Sequence, residues 1–509
     1  MPQLRALLRD RVFLATLLVT AIAKGLAFLP AYSIDDYYIF GLESPSLGML
    51  KQGRFGQAIV TQLFYHLQLE PTYATVFFTG LAIFTSALLG TLIVRHWNLG
   101  HQGWLPVAAA GIVVNHPYTT EIFTFRTALG SAMVALALFS LLLIPLRWSP
   151  RQVLAGAALF AFALSIYQVV LHYCLMVVAM GGAVWLTRYL RIGAAAGWPK
   201  RVTSLLAPRR FLWHRNTGLL LCAILGTAGY ILLDAAISRA LAVVRSARTA
   251  LLPLREIPTR AGMVLDILDY RLLKPGPMVV PLTQKLLLLL LLTALAGLLW
   301  RARPWLQARA AALLLLAYAL IAAALVWSVG IIIVLAEFWP VPRVMSHVGI
   351  FWAGLLVISW LCFGGTARKL LGLIAALILL SFIGADNRIL REQLRLNTRD
   401  QLRASRIVGR LEMSPGFAQI ASVAVVGKEW RYPLPYSTAD HDMNISAFGA
   451  LQGRLTILRE VSGYDFIQAK DPAEIAAAEV YCRSVQPWPG PESVAVQGHL
   501  AIICLQTQQ

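Results

Sequence analysis

The chain has 509 residues, 58% of them hydrophobic and 13% charged, with a mean hydropathy of +0.68, which excludes an ordinary soluble globular domain and makes it a polytopic α-helical membrane protein. The formal net charge of +20 does not signal nucleic acid. Its basic residues stand in short clusters between apolar runs, where they orient membrane helices, and no groove-reading or base-stacking element accompanies them.

The first element, residues 12–29, is apolar and long enough to span, with Lys24 near its outer end, where it can snorkel. Its basic start and the triplet Ala21-Ile22-Ala23 would also suit a cleaved signal peptide, and a retained helix is the expectation. Either outcome puts the next stretch, "AYSIDDYYIF", beyond the membrane. After it, "SPSLGMLKQGRFGQAIVTQLFYHLQLEP" repeats Leu47, Leu50, Ile59, Leu63 and Leu67 at helical spacing behind the start signals Ser44 and Pro45. The spacing predicts an amphipathic helix along the outer leaflet, interrupted at Gly53 and Gly56.

Further candidate spans are residues 73–94, 104–114, 128–144, 153–166, 169–186, 217–237, 285–300, 311–335, 348–363 and 370–383. This makes about eleven helices, an odd number that exports the tail. One face collects Arg5, Arg9, Arg11, Arg95, Arg147, Arg151, Arg188, Arg191, Lys200, Arg201, Arg209, Arg210, Arg215, Arg301, Arg303, Arg309, Arg368 and Lys369, and is expected to be cytoplasmic. The opposite face receives the "IDDYY" loop, "NHPYTTEIFTFRTA", residues 238–283, "EFWPVPRVMSH" and the tail. Residues 238–283 depart from the charge rule with Arg239, Arg245, Arg248, Arg255, Arg260, Arg271 and Lys274. Arginines alternating with Leu241, Val244, Leu251 and Leu252 predict a basic amphipathic helix in the headgroup plane, for membrane lipid or for a substrate phosphate.

Beyond Asn387, "NRILREQLRLNTRDQLRASRIVGRLEM" keeps a helical period and continues the last span. Strand-like and helix-like runs then alternate, predicting a small α/β domain and a division into residues 1–385 and 386–509. Cys174, Cys222 and Cys362 read as small core residues, whereas Cys482 and Cys504 are placed to pair if the tail lies outside the cytoplasm. His441 and Asp442 read as ordinary polar-loop residues, and no GxSxG, P-loop or HExxH motif is present.

The chemistry gathers on the outward loops. Asp35 and Asp36 are adjacent acids in a chain with few. Glu121, Arg126 and His116 come from "NHPYTTEIFTFRTALG", Arg54 and Arg343 from other outward segments, and Tyr167, Gln168 and His172 from "SIYQVVLHY". Polar groups at span ends are candidate functional residues. Carboxylates beside cations and aromatics at the membrane surface fit a sugar carried on a lipid phosphate. Transfer from a polyprenyl phosphate needs a base for the acceptor hydroxyl and cations for the departing phosphate. One aspartate serves as base; the other binds the acceptor or orients the first, and their mutual repulsion favours a raised pKa.

The first apolar helix followed by Asp35-Asp36, then Gly53-Arg54, the "NHPYTTEIFTF" loop and the "SIYQ" segment resemble the bacterial GtrII-type glucosyltransferases, the O-antigen-modifying enzymes, over residues 14–387. The resemblance implies a GT-C architecture whose first outward loop carries the catalytic acid, here Asp35 or Asp36, with Arg54 and Arg126 on phosphate or sugar. It implies undecaprenyl phosphate glucose as donor and lipid-linked O-antigen or another periplasmic glycan as acceptor. The enzyme would be a multi-pass protein of the bacterial inner membrane with its active site and tail in the periplasm, supplied by a donor-lipid synthase and a flippase. A divalent metal, Mg or Mn, is used by some GT-C relatives and not by others, and no tight His/Asp constellation demands one here. A GT-C transferase for mannose, arabinose or an aminosugar, or a lipid-linked glycan flippase, are the alternatives; the flippase would favour internal repeats, which are not visible.

Overall fold

The computed structural model describes residues 9–40, 45–99, 103–144, 149–196, 215–246, 250–303, 308–428 and 437–507. Arg5, Arg147, Lys200, Arg201, Arg209, Arg210 and Arg248 lie outside them. In chain order the helices are α1 (Arg11–Lys24), α2 (Ile34–Phe40), α3 (Pro45–Lys51), α4 (Phe55–His66), α5 (Thr75–His96), α6 (Leu105–Asn115), α7 (Pro117–Thr124), α8 (Arg126–Leu142), α9 (Pro150–Ile166), α10 (Val169–Ala196), α11 (Arg215–Ala240), α12 (Ile257–Leu268), α13 (Pro281–Ala302), α14 (Ala308–Trp327), α15 (Val348–Cys362) and α16 (Gly365–Glu412). Then follow β1 (Ser422–Lys428), α17 (Leu451–Ser462), α18 (Pro472–Ser484), β2 (Val494–Gln497) and β3 (Leu500–Thr507). Among the described residues six helices are long and apolar enough to cross a membrane: α1 with its 3₁₀ continuation to Phe28, α5, α10, α11, α13 and α16. Five shorter apolar helices, α6, α8, α9, α14 and α15, fall where further spans are expected.

The chain divides into two compact units, one of Met1–Phe28, Pro45–Phe123 and Ala128–Asn387, the other of Leu29–Ser44, Thr124–Thr127 and Arg388–Gln509. In the first, α1 packs on α5, α6 on α15, α9 on α11, and α10 on both α14 and α15. Small residues let these backbones close up: a Cβ on Gly226 would lie 2.7 Å from the Ala157 carbonyl oxygen, and one on Gly349 2.5 Å from that of Val113.

Three expectations are corrected in this unit. Lys24 does not snorkel. It is fully buried, because its face of α1 meets protein, and its Nζ donates at 2.8 Å to both Asp386 Oδ2 and Thr120 Oγ1, while Thr120 donates at 2.6 Å to Asp386 Oδ1. Gly53, with φ +72°, does separate α3 from α4, but Gly56 stays helical; its place is set by Ser165 and Ile166, which a Cβ there would meet. The basic amphipathic helix does not cover Leu241 and Val244: residues 241–246 are a turn and irregular chain after α11, and the helix comes later as α12 with a π turn, Asp269–Leu273. Arg260 and Arg271 are buried there, for a reason given below.

The second unit holds a three-stranded sheet in the order β1-β3-β2, with β1 parallel and β2 antiparallel to β3. Alternate residues face opposite sides. Val423, Ala501, Ile503 and Leu505 meet α16 and α17 through Ala404, Ile407, Leu411, Leu455 and Leu458; Ala424, Ile502 and Cys504 meet α18 through Ala478. Cys482 of α18 is disulfide-bonded to Cys504 of β3. The helix that continues the last span is α16, unbroken over 48 residues. Tyr37 of α2 sits in the α16-facing core beside Phe448 and Ile407, so the loop bearing the aspartate pair folds together with the tail.

Candidate active site

Asp36 is fully buried and its carboxylate joins two helix starts. Its Oδ2 accepts from the backbone N–H of Ser33 at 2.7 Å and from Ser33 Oγ at 2.9 Å, while its own N–H donates to Ser33 Oγ at 3.2 Å. This reciprocal pattern is a capping box at the head of α2. The same carboxylate accepts from the N–H groups of Arg126 at 3.2 Å and Thr127 at 2.9 Å, and from Thr127 Oγ1 at 2.9 Å, where α8 begins. Three of these five donors are N–H groups at helix starts, which lack an intrahelical acceptor, and two are hydroxyls beside them; a carboxylate at a helix N-terminus is favoured by the peptide dipoles. Asp35, one residue earlier on the same turn, is half-exposed.

The surrounding loop is pinned from two directions. Arg126, also buried, donates from Nε to the Ala31 carbonyl at 3.1 Å and from Nη2 to that of Leu29 at 3.1 Å. Asn397 of α16 grips the Tyr32 backbone at both ends, accepting from its N–H at 2.5 Å and donating to its carbonyl at 2.9 Å. Burial, reinforced by Glu460, Asp400 and Asp36, pushes the Tyr37 hydroxyl far above its ordinary pKa.

The first unit assembles a separate polar cluster. Arg54 Nε donates to Gln168 Oε1 at 3.0 Å; Gln168 in turn donates to the Gln52 carbonyl at 3.2 Å and to the Tyr230 hydroxyl at 3.3 Å, and that hydroxyl donates to the Gly53 carbonyl at 3.0 Å. Glu121, fully buried, accepts from Arg343 Nη1 at 2.8 Å and from the Arg343 backbone N–H. Tyr167 lies between the two pairs: burial pushes its hydroxyl up to about 12, Arg343 and Arg54 pull the other way, and Glu121 adds to the rise. Five predicted residues, Arg54, Glu121, Tyr167, Gln168 and Arg343, are thus brought together, presenting two guanidinium groups beside a phenol and an amide.

The histidines do other work. His172 accepts at Nε2 from the Ile331 N–H at 2.9 Å, which leaves Nδ1 to donate to the Val344 carbonyl at 3.0 Å, so it ties both ends of the segment carrying Arg343. Arg260 clamps the middle of that segment, giving Nη1 to the carbonyls of Ile332 and Leu335 at 2.7 Å each and Nη2 to that of Ala336 at 2.9 Å, with Phe338 under its plane. Arg271 reaches the Pro340 carbonyl at 3.4 Å. These carbonyls explain why two arginines of the basic stretch are buried rather than at a headgroup plane. His116 packs edge-on against Tyr118 and Phe382. In the tail, His441 pairs with Asp440 at 2.6 Å. Among the described residues, no three His, Cys, Asp or Glu side chains come together as metal ligands.

Tyr230 and Asp234 belong to the cluster without having been anticipated. Asp234, buried, pairs with Arg245 at 2.5 Å, and a Cβ on Gly53 would touch the Tyr230 hydroxyl and the Asp234 carboxylate. The signal lay in a tyrosine and an acid four residues apart near one end of an apolar span.

The model of the family described as glucosyl transferase GtrII matches residues 26–359, about two thirds of the chain, including both aspartates, Arg54, the "NHPYTTEIFTF" loop, "SIYQ" and Arg343. No curated protein and no solved structure matches. With more than half its length in that match, from the aspartate loop to the end of the membrane helices that carry the arginine cluster, the chain belongs to the GtrII glucosyl transferase family and is a glycosyltransferase.

Proposed function

We propose that the protein transfers glucose from undecaprenyl phosphate glucose to a periplasmic glycan such as lipid-linked O-antigen, with Asp35 as the general base and Asp36 as the residue that positions it. The observation that carries this division of labour is the saturation of Asp36. Five hydrogen bonds to one buried carboxylate fix Asp36 as a structural acceptor, and the adjacent Asp35, which is less buried, is the member of the pair we assign to the acceptor hydroxyl. Asp35 takes the proton of the acceptor hydroxyl as that oxygen bonds to C1 of glucose. The C1–O bond to phosphate breaks, and the polyprenyl phosphate leaves with its charge met by Arg54 and Arg343. Arg126 acts through the loop backbone it holds, not on substrate. The disulfide between Cys482 and Cys504 supports an oxidising, periplasmic side for the tail, and a donor used there has to be made and flipped by other proteins of the inner membrane.

The test is transfer of label from radioactive undecaprenyl phosphate glucose to a lipopolysaccharide extract by the protein in lipid. Asp35→Asn should lose about 10²–10⁴-fold in rate with its thermal transition unchanged. Equal transfer by Asp35→Asn and wild type removes the base assignment. Transfer by neither, across several sugar lipids and acceptors, moves the reading to a flippase.

A further inference from the structure

Three polar residues on one face of α16, within the second unit, are buried: Gln393, Asn397 and Asp400. Spaced by four and then three, they fall within an arc of about 60° and about 10 Å of helix length. Each grips the backbone of a different segment of that unit. Gln393 Nε2 donates to the Thr124 carbonyl at 2.8 Å. Asn397 accepts from the Tyr32 N–H at 2.5 Å and donates to the Tyr32 carbonyl at 2.9 Å. Asp400 accepts from Ser446 Oγ at 2.7 Å and from the Ala447 N–H at 2.8 Å.

The first two segments are the ones that hold Asp36. Tyr32 immediately precedes Ser33, whose N–H and hydroxyl donate to the Asp36 carboxylate. Thr124 stands two residues before Arg126, whose N–H, with that of Thr127, meets the same carboxylate. Both helix starts that converge on Asp36 are therefore tied to α16 by an amide just upstream of their donors. The third segment leads into Phe448, which packs with Tyr37 of α2. A leucine at 393 or 397 would need no partner, whereas a buried amide costs free energy unless its hydrogen bonds are made. What the amide adds is direction. Bonds to both polar groups of Tyr32 fix that residue along the helix, where apolar contact alone would let it slide.

We propose that Gln393 and Asn397 are positioning residues of the acid pair: they set the spacing of the two helix starts that orient Asp36 and, through it, Asp35. The consequence for catalysis rests on the role given to Asp35 above; the grip itself does not. A base displaced by a fraction of an ångström loses rate. Arg54 and Arg343, which meet the donor phosphate in that reading, are held by other residues, so kcat rather than KM for the sugar lipid should respond.

The full chain in lipid discs is compared as wild type, Gln393→Met, Asn397→Leu and Thr438→Val. Thr438 serves as control: it is buried in the same unit, and its hydroxyl bonds Glu392 Oε2 and Asn444 Nδ2 instead of either loop. Expected for each amide variant is a kcat for glucose transfer about tenfold lower, with KM for the sugar lipid changed less than about twofold. Amide hydrogen exchange should quicken about tenfold in residues 32–40 for Asn397→Leu and in residues 124–130 for Gln393→Met. Thr438→Val should lower the thermal transition and leave both readouts in place. If an apolar variant fails to fold, Gln393→Glu, which keeps the length but removes the donor to Thr124, takes its place with the same expectation. Added to Asp36→Asn, either amide change should lower kcat by no more than about a further twofold, because it acts through a carboxylate already lost. Full additivity with Asp36→Asn, a kcat that tracks the melting temperature in Thr438→Val as well, or faster exchange with kcat unchanged overturns the proposal and leaves a scaffold only. If Asp35→Asn transfers as wild type does while Gln393→Met does not, the base assignment falls and the positioning of Asp36 stands. A protein that transfers no sugar in any assay removes the function proposed above, and exchange then decides alone: faster exchange keeps the grip on the Asp36 loops, unchanged exchange rejects it.

Discussion

Two aspartates are completely buried in different units and are stabilised in opposite ways. Asp386, in a helix that crosses apolar surroundings, is neutralised by a cation, Lys24, with Thr120 bridging the two. Asp36, in the loop unit, is met by backbone N–H groups and hydroxyls at the starts of α2 and α8. A hydrocarbon-facing bundle has no loose backbone donors, since its helices use their own, so a buried charge there needs an opposite charge. Helix ends supply donors without charge, and they fix a carboxylate's direction more tightly than a flexible lysine does. The first arrangement suits helix-to-helix attachment; the second suits holding a neighbour, Asp35, in place.

That contrast can be broken at four points, in descending cost to the folded state. Lys24→Met leaves Asp386 charged and alone, and thermal melting in detergent should register about 3–5 kcal/mol, most of it recovered in Lys24→Met/Asp386→Leu. If the double variant melts no higher than the single, the pair is not the source. Asp36→Asn turns an amide N–H₂ toward donors and should cost about 1–3 kcal/mol, with proteolysis first exposing the chain around α2. Arg260→Lys replaces two separate donor nitrogens with one, which does not match carbonyls bound through both Nη1 and Nη2; about 1 kcal/mol is expected, with KM for the sugar lipid rising several-fold and kcat less changed as Arg343 loosens. Asp35→Asn should shift stability by no more than about 0.5 kcal/mol while abolishing most transfer. A large melting shift for Asp35→Asn would mean that both aspartates are structural.

Much of the membrane unit was legible because polar residues stand out against apolar runs: Arg54, Gln168 and Glu121 were singled out by chain position alone and do join one cluster, with Tyr167 and Arg343. The α/β tail was legible from its change of period. The two members of the pair Asp35-Asp36 were not distinguished, although Ser33-Ile34-Asp35-Asp36 has the spacing of the capping box that Asp36 forms. Lys24 was misread because its partner is 362 residues away, and nothing local separates a lysine that snorkels from one that pairs. Arg260 and Arg271 were misread for a related reason: a guanidinium that binds carbonyls of a distant loop has the same sequence signature as one that binds lipid.

The packing of Tyr37 beside Phe448 and Ile407 has a consequence for building chimeras. The family match ends at residue 359, which invites exchange of everything after it as a module. Such an exchange would keep the loop that carries Asp35 while replacing the pocket that receives its tyrosine. The Asn397 contacts would transfer readily, since they use only the Tyr32 backbone; the Tyr37 side chain would not find its socket. Residues 29–44 and the tail are one graft, and a tail swapped alone should yield a protein that inserts and folds its spans but has lost the placement of its acid.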